Sequence, residues 1–176
     1  LKLKDGVSLD HEAEPSVEVT VTATDVGGLS TAQTFTLSIS DVNEGPTAIT
    51  LDGTTLAENA TGATVGTLAT ADPDAGDTHS YSVDDARFEV VGGLLKLKDG
   101  VSLDHEAGDT VQVTVTATDA GGLSTAQTFT LSVTDVNEGP TDIALDGSTL
   151  AENATGATVG TLATTDPAAA DSHSYS

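Results

Sequence analysis

Acidic side chains in this chain gather in short motifs at the ends of elements, in loops where backbone carbonyls are also free. Glu58 lies in Leu56-Ala57-Glu58-Asn59, and Asp72 and Asp74 lie in Ala71-Asp72-Pro73-Asp74. Asp104 and Glu106 fall in Leu103-Asp104-His105-Glu106. Asp135, Asn137 and Glu138 share the run Asp135-Val136-Asn137-Glu138-Gly139-Pro140, and Asp119 opens a turn. Such a set suits Ca2+, which takes roughly six to eight oxygen ligands from carboxylates, carbonyls and water in a flexible geometry. Zinc would call for Cys or His at short spacing, and neither occurs in such a pattern. One acidic motif on a very acidic protein is ordinarily a solvated face; several that recur in the same order are not.

They recur because the chain is a tandem array. Residues 1–82 reappear at 95–176 with differences at only 14 of 82 positions, a period of 94 residues. Most solenoid repeats run roughly 20 to 50 residues, so this period fits a self-contained domain. Two copies so alike have not diverged to separate tasks, and function belongs to the unit and to the joints between units. The acidic runs Asp41-Val42-Asn43-Glu44-Gly45-Pro46 and 135–140 are the linkers, where proline ends a strand and re-aims the chain. They divide it into the C-terminal half of one repeat (1–46), a complete repeat (47–140) and the N-terminal half of a third (141–176). The first residue already lies inside a repeat, so the chain is expected to be a window on a longer protein whose targeting signals lie elsewhere.

Composition narrows the partners. Asp and Glu number 28 against 5 Lys and Arg, a formal net charge of −23. That balance makes nucleic acid and anionic membranes poor partners, and self-repulsion strains the compact state unless counter-ions neutralise particular clusters. With no cysteine, disulfide staples are absent, and metal is the alternative way to hold a small secreted domain together. No apolar run approaches the length of a membrane-spanning helix.

The elements that must position the acidic loops are strands. Val111, Val113, Val115 and Ala117 alternate with Gln112, Thr114, Thr116 and Thr118, and Phe129, Leu131 and Val133 alternate with Thr128, Thr130 and Ser132. That is the period of a strand with one buried face. Asp119-Ala120-Gly121-Gly122 is the turn between them. Ala48 to Leu51, Thr64 to Thr70, His79 to Val83, Arg87 to Val91 and Leu94 to Lys98 read similarly, and no segment carries a helical stripe. The expected fold is all-β: tandem seven-stranded antiparallel Greek-key β-sandwiches.

Taken together, these motifs resemble the cadherin repeat, and in particular the cadherin-like repeats of large RTX-type bacterial surface adhesins. Val65, Leu68, Thr70, Asp72 and Asp74 match the family pattern V-x-x-V-x-A-x-D-x-D, with Thr70 in the alanine place. The resemblance covers the whole chain. It implies that an early glutamate, an LDxE motif and a DxND-type linker of one domain join an AxDxD loop and a later aspartate of the next to enclose Ca2+. At the first joint this assigns Asp10, Glu12, Asp41, Asn43 and Glu44 from the leading half-repeat, with Asp72, Asp74 and Asp119 from the middle one. At the second it assigns Glu58, Asp104, Glu106, Asp135, Asn137 and Glu138, completed by Asp166. Two departures stand out: the linker reads Asn-Glu-Gly where the family usually has Asn-Asp-Asn, and Asp74 becomes Ala168 in the next copy. The second joint is therefore expected to bind fewer ions or bind them less tightly.

The remaining polar residues have plainer readings. His11 and His105 are expected at the surface, pointing away from the metal side, and His79 and His173 in half-buried packing roles beside Tyr81 and Tyr175. Lys2, Lys4, Lys96 and Lys98 alternate with leucines on the solvent side of a strand, where lysine discourages edge pairing. Asn59-Ala60-Thr61 matches a glycosylation acceptor, which carries little weight in a bacterial repeat. Nothing supports an enzyme: there is no phosphate-binding glycine loop, and Asp10-His11 is a sequence neighbour pair rather than a spatial triad.

The expected function is a calcium-rigidified spacer in an extracellular or cell-surface adhesin, serving cell adhesion and biofilm formation. Neighbouring repeats are its partners, and head-to-tail filaments or homophilic self-association are further possibilities. The alternative is a carbohydrate-binding or homophilic module. Sugar platforms need exposed aromatics, and only Phe35, Tyr81, Phe88, Phe129 and Tyr175 are available, the phenylalanines on buried registers.

Overall fold

The computed structural model describes residues 1–168 and 171–176, and its regular elements are all strands. The leading half-repeat forms one hairpin, β1 (Ser16–Thr24) with β2 (Ser30–Ser38), in register from Ser16 opposite Ser38 to Thr24 opposite Ser30. The middle repeat contains β3 (Ala48–Leu51), β4 (Thr55–Ala57), β5 (Thr64–Ala71), β6 (Ser80–Val83), β7 (Phe88–Val91), β8 (Leu94–Leu97), β9 (Thr110–Thr118) and β10 (Ser124–Thr134). These make two four-stranded sheets, β4-β10-β9-β6 and β3-β5-β8-β7. The trailing segment pairs β11 (Asp142–Leu145) with β12 (Leu162–Thr165). All seven strands expected of the repeat are present.

The eighth, β4, corrects the count, and its cause is a change of sheet. The chain leaves the β3 sheet after Leu51, bends through Asp52-Gly53-Thr54 and joins the other sheet at Thr55. There β4 runs parallel to β10, with Leu56 opposite Val133, so the sandwich is not wholly antiparallel.

The described residues cluster in two compact units. One comprises Leu1–Thr50, Leu68–Ser82 and Val115–Gln127; the other comprises Leu51–Thr67, Val83–Thr114 and Thr128–Ser176. Strands β3, β5, β6, β9 and β10 contribute to both.

The second unit holds most of the core. Leu56, Val65, Phe88, Leu95, Leu97, Val113, Leu131 and Val133 are buried inward-facing strand residues, and Leu103, in the connection between β8 and β9, is buried with them. Burying each large side chain contributes roughly 1.5–3 kcal/mol relative to leaving it exposed. The β7–β8 hairpin, with Phe88 opposite Leu97, closes on Gly92-Gly93 at φ of 58° and 81°. Two successive positive-φ residues are what a two-residue turn matched to strand twist demands, and glycine takes them without strain.

In the first unit the buried apolar residues are Ile49, Leu68, Val115 and Ala117. β1 and β2 repeat the alternation of β9 and β10, yet Val21, Phe35 and Leu37 stay 40% or more exposed because no second sheet covers them among the described residues. The expected burial of the phenylalanines thus holds fully only for Phe88, at 1% exposure, whereas Phe35 is 47% exposed.

Candidate metal centre

Three separate stretches of the first unit meet at the linker 41–46. Carboxylate oxygens of Glu12, Asp41, Glu44 and Asp74 lie within 4.8 Å of one another, as do those of Asp72, Asp77 and Asp119. Backbone geometry draws them together. The Glu44 N–H donates to Asp74 Oδ2 at 2.8 Å, and the Asp74 N–H donates to Asp72 Oδ1 at 3.1 Å. Asn43 Nδ2 donates to the Glu44 carbonyl and to Asp119 Oδ2, both at 3.0 Å.

Asp119 has a second task at the β9–β10 turn. Its Oδ1 accepts the Leu123 N–H at 2.8 Å, its N–H donates to the Leu123 carbonyl at 3.0 Å, and the residue is 6% exposed. Burial would raise its pKa, but hydrogen bonds from Asn43 and from the Leu123, Gly122 and Gly121 amides outweigh that and leave it lowered. Gly121 packs against Asn43 so closely that an added Cβ would clash with the Asn43 amide.

Elsewhere the crowding of negative charge dominates. Glu44 is raised by desolvation and then by the carboxylates of Glu12, Asp74, Asp10 and Asp41. Asp77 is raised by desolvation and then by Asp74, Asp72 and Asp119. Asp74 Oδ1 and Asp77 Oδ2 are buried with no hydrogen-bond partner. Buried carboxylate oxygens without a donor are costly, which makes them the positions a cation would compensate. Asp10 stands outside the closest groups, because its Oδ1 accepts the Ala13 N–H at 3.0 Å and caps its own turn.

In the second unit the linker 135–140 is built the same way. Glu58, Glu106, Asp135 and Glu138 bring their oxygens within 4.8 Å of one another. Glu58 is 2% exposed; its Oε2 accepts the His105 N–H at 2.8 Å and its Oε1 the Val136 N–H at 2.7 Å. Those two amides lower its pKa against desolvation. Glu106 is raised, by desolvation first and also by Glu58, Glu138 and Asp135. Glu138 Oε1 accepts from Asn59 Nδ2 at 2.5 Å, and its Oε2 is buried without a partner. Asp104 caps the Ala107 N–H at 3.1 Å, Asn137 Nδ2 donates to the Glu138 carbonyl at 2.8 Å, and Asp166 is held by His173 at 2.7 Å. These three lie outside the closest group.

Two contributors escaped the sequence reading. Asp77 lies three residues beyond Asp74 in Asp74-Ala75-Gly76-Asp77, and the sequence signal was that extra acid after the DxD pair. Asn59, read only as a glycosylation acceptor, adopts φ 59° and reaches Glu138. The histidines also differ from expectation. His11 and His105 are partly buried, their Nδ1–H donating to the carbonyls of Ile39 and Val133 at 2.8 Å, and a His11 nitrogen falls within 4.8 Å of Glu12 and Asp41 oxygens. His79 and His173 are half-buried as expected, but each bonds a carboxylate. Lys96 reaches Asp99 at 2.9 Å and Glu89 at 3.4 Å.

The donor set is therefore hard oxygen throughout both clusters, apart from His11, with three buried carboxylate oxygens left over. That fits Ca2+ better than a nitrogen- or sulfur-seeking metal.

Known proteins resemble this chain in sequence and in fold. The chain is 35% identical over 148 residues to human (Homo sapiens) protocadherin gamma-C4, covering 74% of this chain and 16% of that protein. It is 34% identical over 158 residues to rat (Rattus norvegicus) cadherin-17, covering 78% and 18%. Among solved structures, extracellular cadherin domains 3–6 of protocadherin gamma B2 superpose with a TM-score of 0.66 at 26% identity, over 92% of this chain and 42% of that one. The fold is that of cadherin domains. No family model matches the chain. It spans about a sixth of the length of the curated cadherins it matches. The acidic clusters include Asp41 and Glu44 of the run 41–46 and Asp135 and Glu138 of the run 135–140.

Proposed function

We propose that this chain is part of an extracellular array of cadherin-type repeats, bounded at 1–46, 47–140 and 141–176, whose joints are fixed by calcium. The observation that carries the reading is the group Glu12, Asp41, Glu44 and Asp74, in which carboxylates of one repeat meet a carboxylate of the next. Glu12, Asp41, Asn43, Glu44, Asp72, Asp74, Asp77 and Asp119 would hold cations at the first joint, with Asp10 adding charge nearby. Glu58, Glu106, Asp135 and Glu138 would do so at the second, with Asp104, Asn137 and Asp166 as further donors.

Electrostatics supplies the mechanism. Two carboxylates about 4 Å apart at an effective dielectric near 20 repel by roughly 4 kcal/mol. A cluster of four opposes closure of the joint until positive charge enters it. Calcium would supply that charge, held by the carboxylates of Glu12, Asp41, Glu44 and Asp74. Extracellular modules often bind it with Kd near 10⁻⁴ M, so a hundredfold excess stabilises the bound state by about 2.7 kcal/mol per site.

Resemblance to the repeats of bacterial surface adhesins supports a finer reading, a spacer that carries an adhesive region away from the cell in attachment and biofilm. Small-angle scattering in chelator and in millimolar calcium tests the joint: a maximum dimension and flexibility unchanged by calcium would overturn the reading.

A further inference from the structure

Asp72 and Asp166 hold the same place in successive repeats and are gripped in the same way. The Nε2–H of His79 donates to Asp72 Oδ2 at 2.8 Å, and that of His173 donates to Asp166 Oδ2 at 2.7 Å. Each carboxylate's Oδ1 accepts the amide two residues on, Asp74 at 3.1 Å and Ala168 at 3.0 Å. Both aspartates are only 5% exposed, and His79 is 10% exposed. A carboxylate only accepts, so the ring must present a protonated Nε2.

A second bond lies beside each of these. Thr70 Oγ1 and the Tyr81 hydroxyl are 2.8 Å apart, and Thr164 Oγ1 and the Tyr175 hydroxyl are 2.7 Å apart. The end of β5 and the start of β6 are thus tied at two successive steps, 70 to 81 and 72 to 79. Between the ties runs the loop 73–78, with Asp74 and Asp77 and their two unpartnered buried oxygens.

We infer that His79 is a positioning residue for the cation site, locking the orientation in which Asp72 faces Asp77 and Asp119. The inference rests on the calcium reading above. His79 is not itself a ligand in this arrangement: Nε2 is committed to Asp72, and among the described residues His79 joins none of the clustered ligand groups. Ring packing alone does not account for the geometry, since an apolar ring would fill the space without a donor aimed at the carboxylate. Partners that orient metal-ligating groups typically alter affinity by about 10- to 100-fold when lost.

Calorimetric calcium titration of the whole 176-residue chain tests this. The sites weakened by Asp74→Asn are those of the first joint. At those sites His79→Phe is expected to weaken binding by about 10- to 100-fold. His79→Gln, whose side-chain amide offers an N–H in place of Nε2–H, is expected to restore most of it. In an Asp72→Asn background His79→Phe should have little further effect, because the histidine acts through that carboxylate. Wild-type affinity in His79→Phe, failure of His79→Gln to rescue, or full additivity with Asp72→Asn would each overturn the inference while leaving the calcium reading intact. No calcium uptake by the wild type would overturn that reading and the inference with it. Melting in chelator checks each variant's fold, and should His79→Phe not fold, His79→Leu makes the same comparison at Asp72.

Discussion

The backbone N–H of Glu44 lies 2.8 Å from Oδ2 of Asp74, so the acidic run 41–46 is tied directly to the loop that follows β5. That bond consumes one lone pair of Asp74 and leaves its Oδ1 buried without a partner. At the second linker Ala168 stands in the place of Asp74, so position 168 offers no carboxylate to the Glu138 N–H. Independently of that, Glu138 Oε1 accepts from Asn59 Nδ2 at 2.5 Å.

The difference predicts unequal joints. Asp74→Asn should weaken calcium binding at the first joint on the order of tenfold, since ligand charge is a main determinant of affinity. Ala168→Asp should strengthen binding at the second. Calorimetry on both variants checks this, and equal affinities for wild type and Ala168→Asp would remove position 168 from the site.

Metal removal should show in thermal unfolding. About 2.7 kcal/mol per occupied site at a hundredfold excess over Kd corresponds to a Tm shift of roughly 10–20 °C for a domain of 60–100 residues. Differential scanning calorimetry with chelator and with millimolar calcium reads it directly. Magnesium at the same concentration should substitute poorly, because it dehydrates reluctantly and demands strict octahedral geometry.

How the sequence carried this much is visible in particular residues. Val111, Val113 and Val115 announced β9 because their period exposes one face and buries the other, and the burial of Val113 and Val115 follows that alternation. β4 was not legible: three residues, Thr55 to Ala57, are too short for a period, and their place beside β10 depends on the bend at 52–54. Glu12, Asp41, Glu44 and Asp74, singled out from their motifs, do come together in the fold. The roles of Asn59, His79 and His105 could not be read from the sequence, because each depends on a carbonyl or carboxylate that is remote or whose facing is set by the fold. Asp10 and Asp104 show the converse, where a motif aspartate caps its own turn.

The contact between Gly121 and Asn43 gives a sterically defined test. An alanine Cβ at 121 would fall inside 3.0 Å of the Asn43 side chain, so Gly121→Ala should displace Asn43 from Asp119. Calcium affinity at the first joint should fall, while the Tm in chelator drops far less than it does for a core substitution such as Phe88→Ala. That residue is 1% exposed, and its truncation should cost about 3–5 kcal/mol. Equal calcium affinity in Gly121→Ala and wild type would mean that Asn43 does not orient the site.

Asp84 provides a pH-dependent prediction away from the metal clusters. Its Oδ1 accepts the Thr114 N–H at 2.8 Å while its own N–H donates to the Thr114 carbonyl at 3.1 Å. The Thr114 backbone and side-chain hydrogen bonds hold its pKa below the ordinary 3.8, against desolvation. A group whose pKa is depressed on folding binds protons more readily in the unfolded chain. Its contribution is therefore complete above the unfolded pKa and is lost as pH falls through the lower folded value. Wild type should be more stable than Asp84→Ala at neutral pH, with the electrostatic part of the advantage shrinking below pH 3.8 and the β6–β9 contact weakened throughout. Denaturant titrations of both proteins in chelator, from neutral pH down to about pH 2, measure the difference. An advantage constant across that range would show that the Asp84 charge contributes nothing to the Thr114 contact, and one that grew toward low pH would reverse the assigned sign.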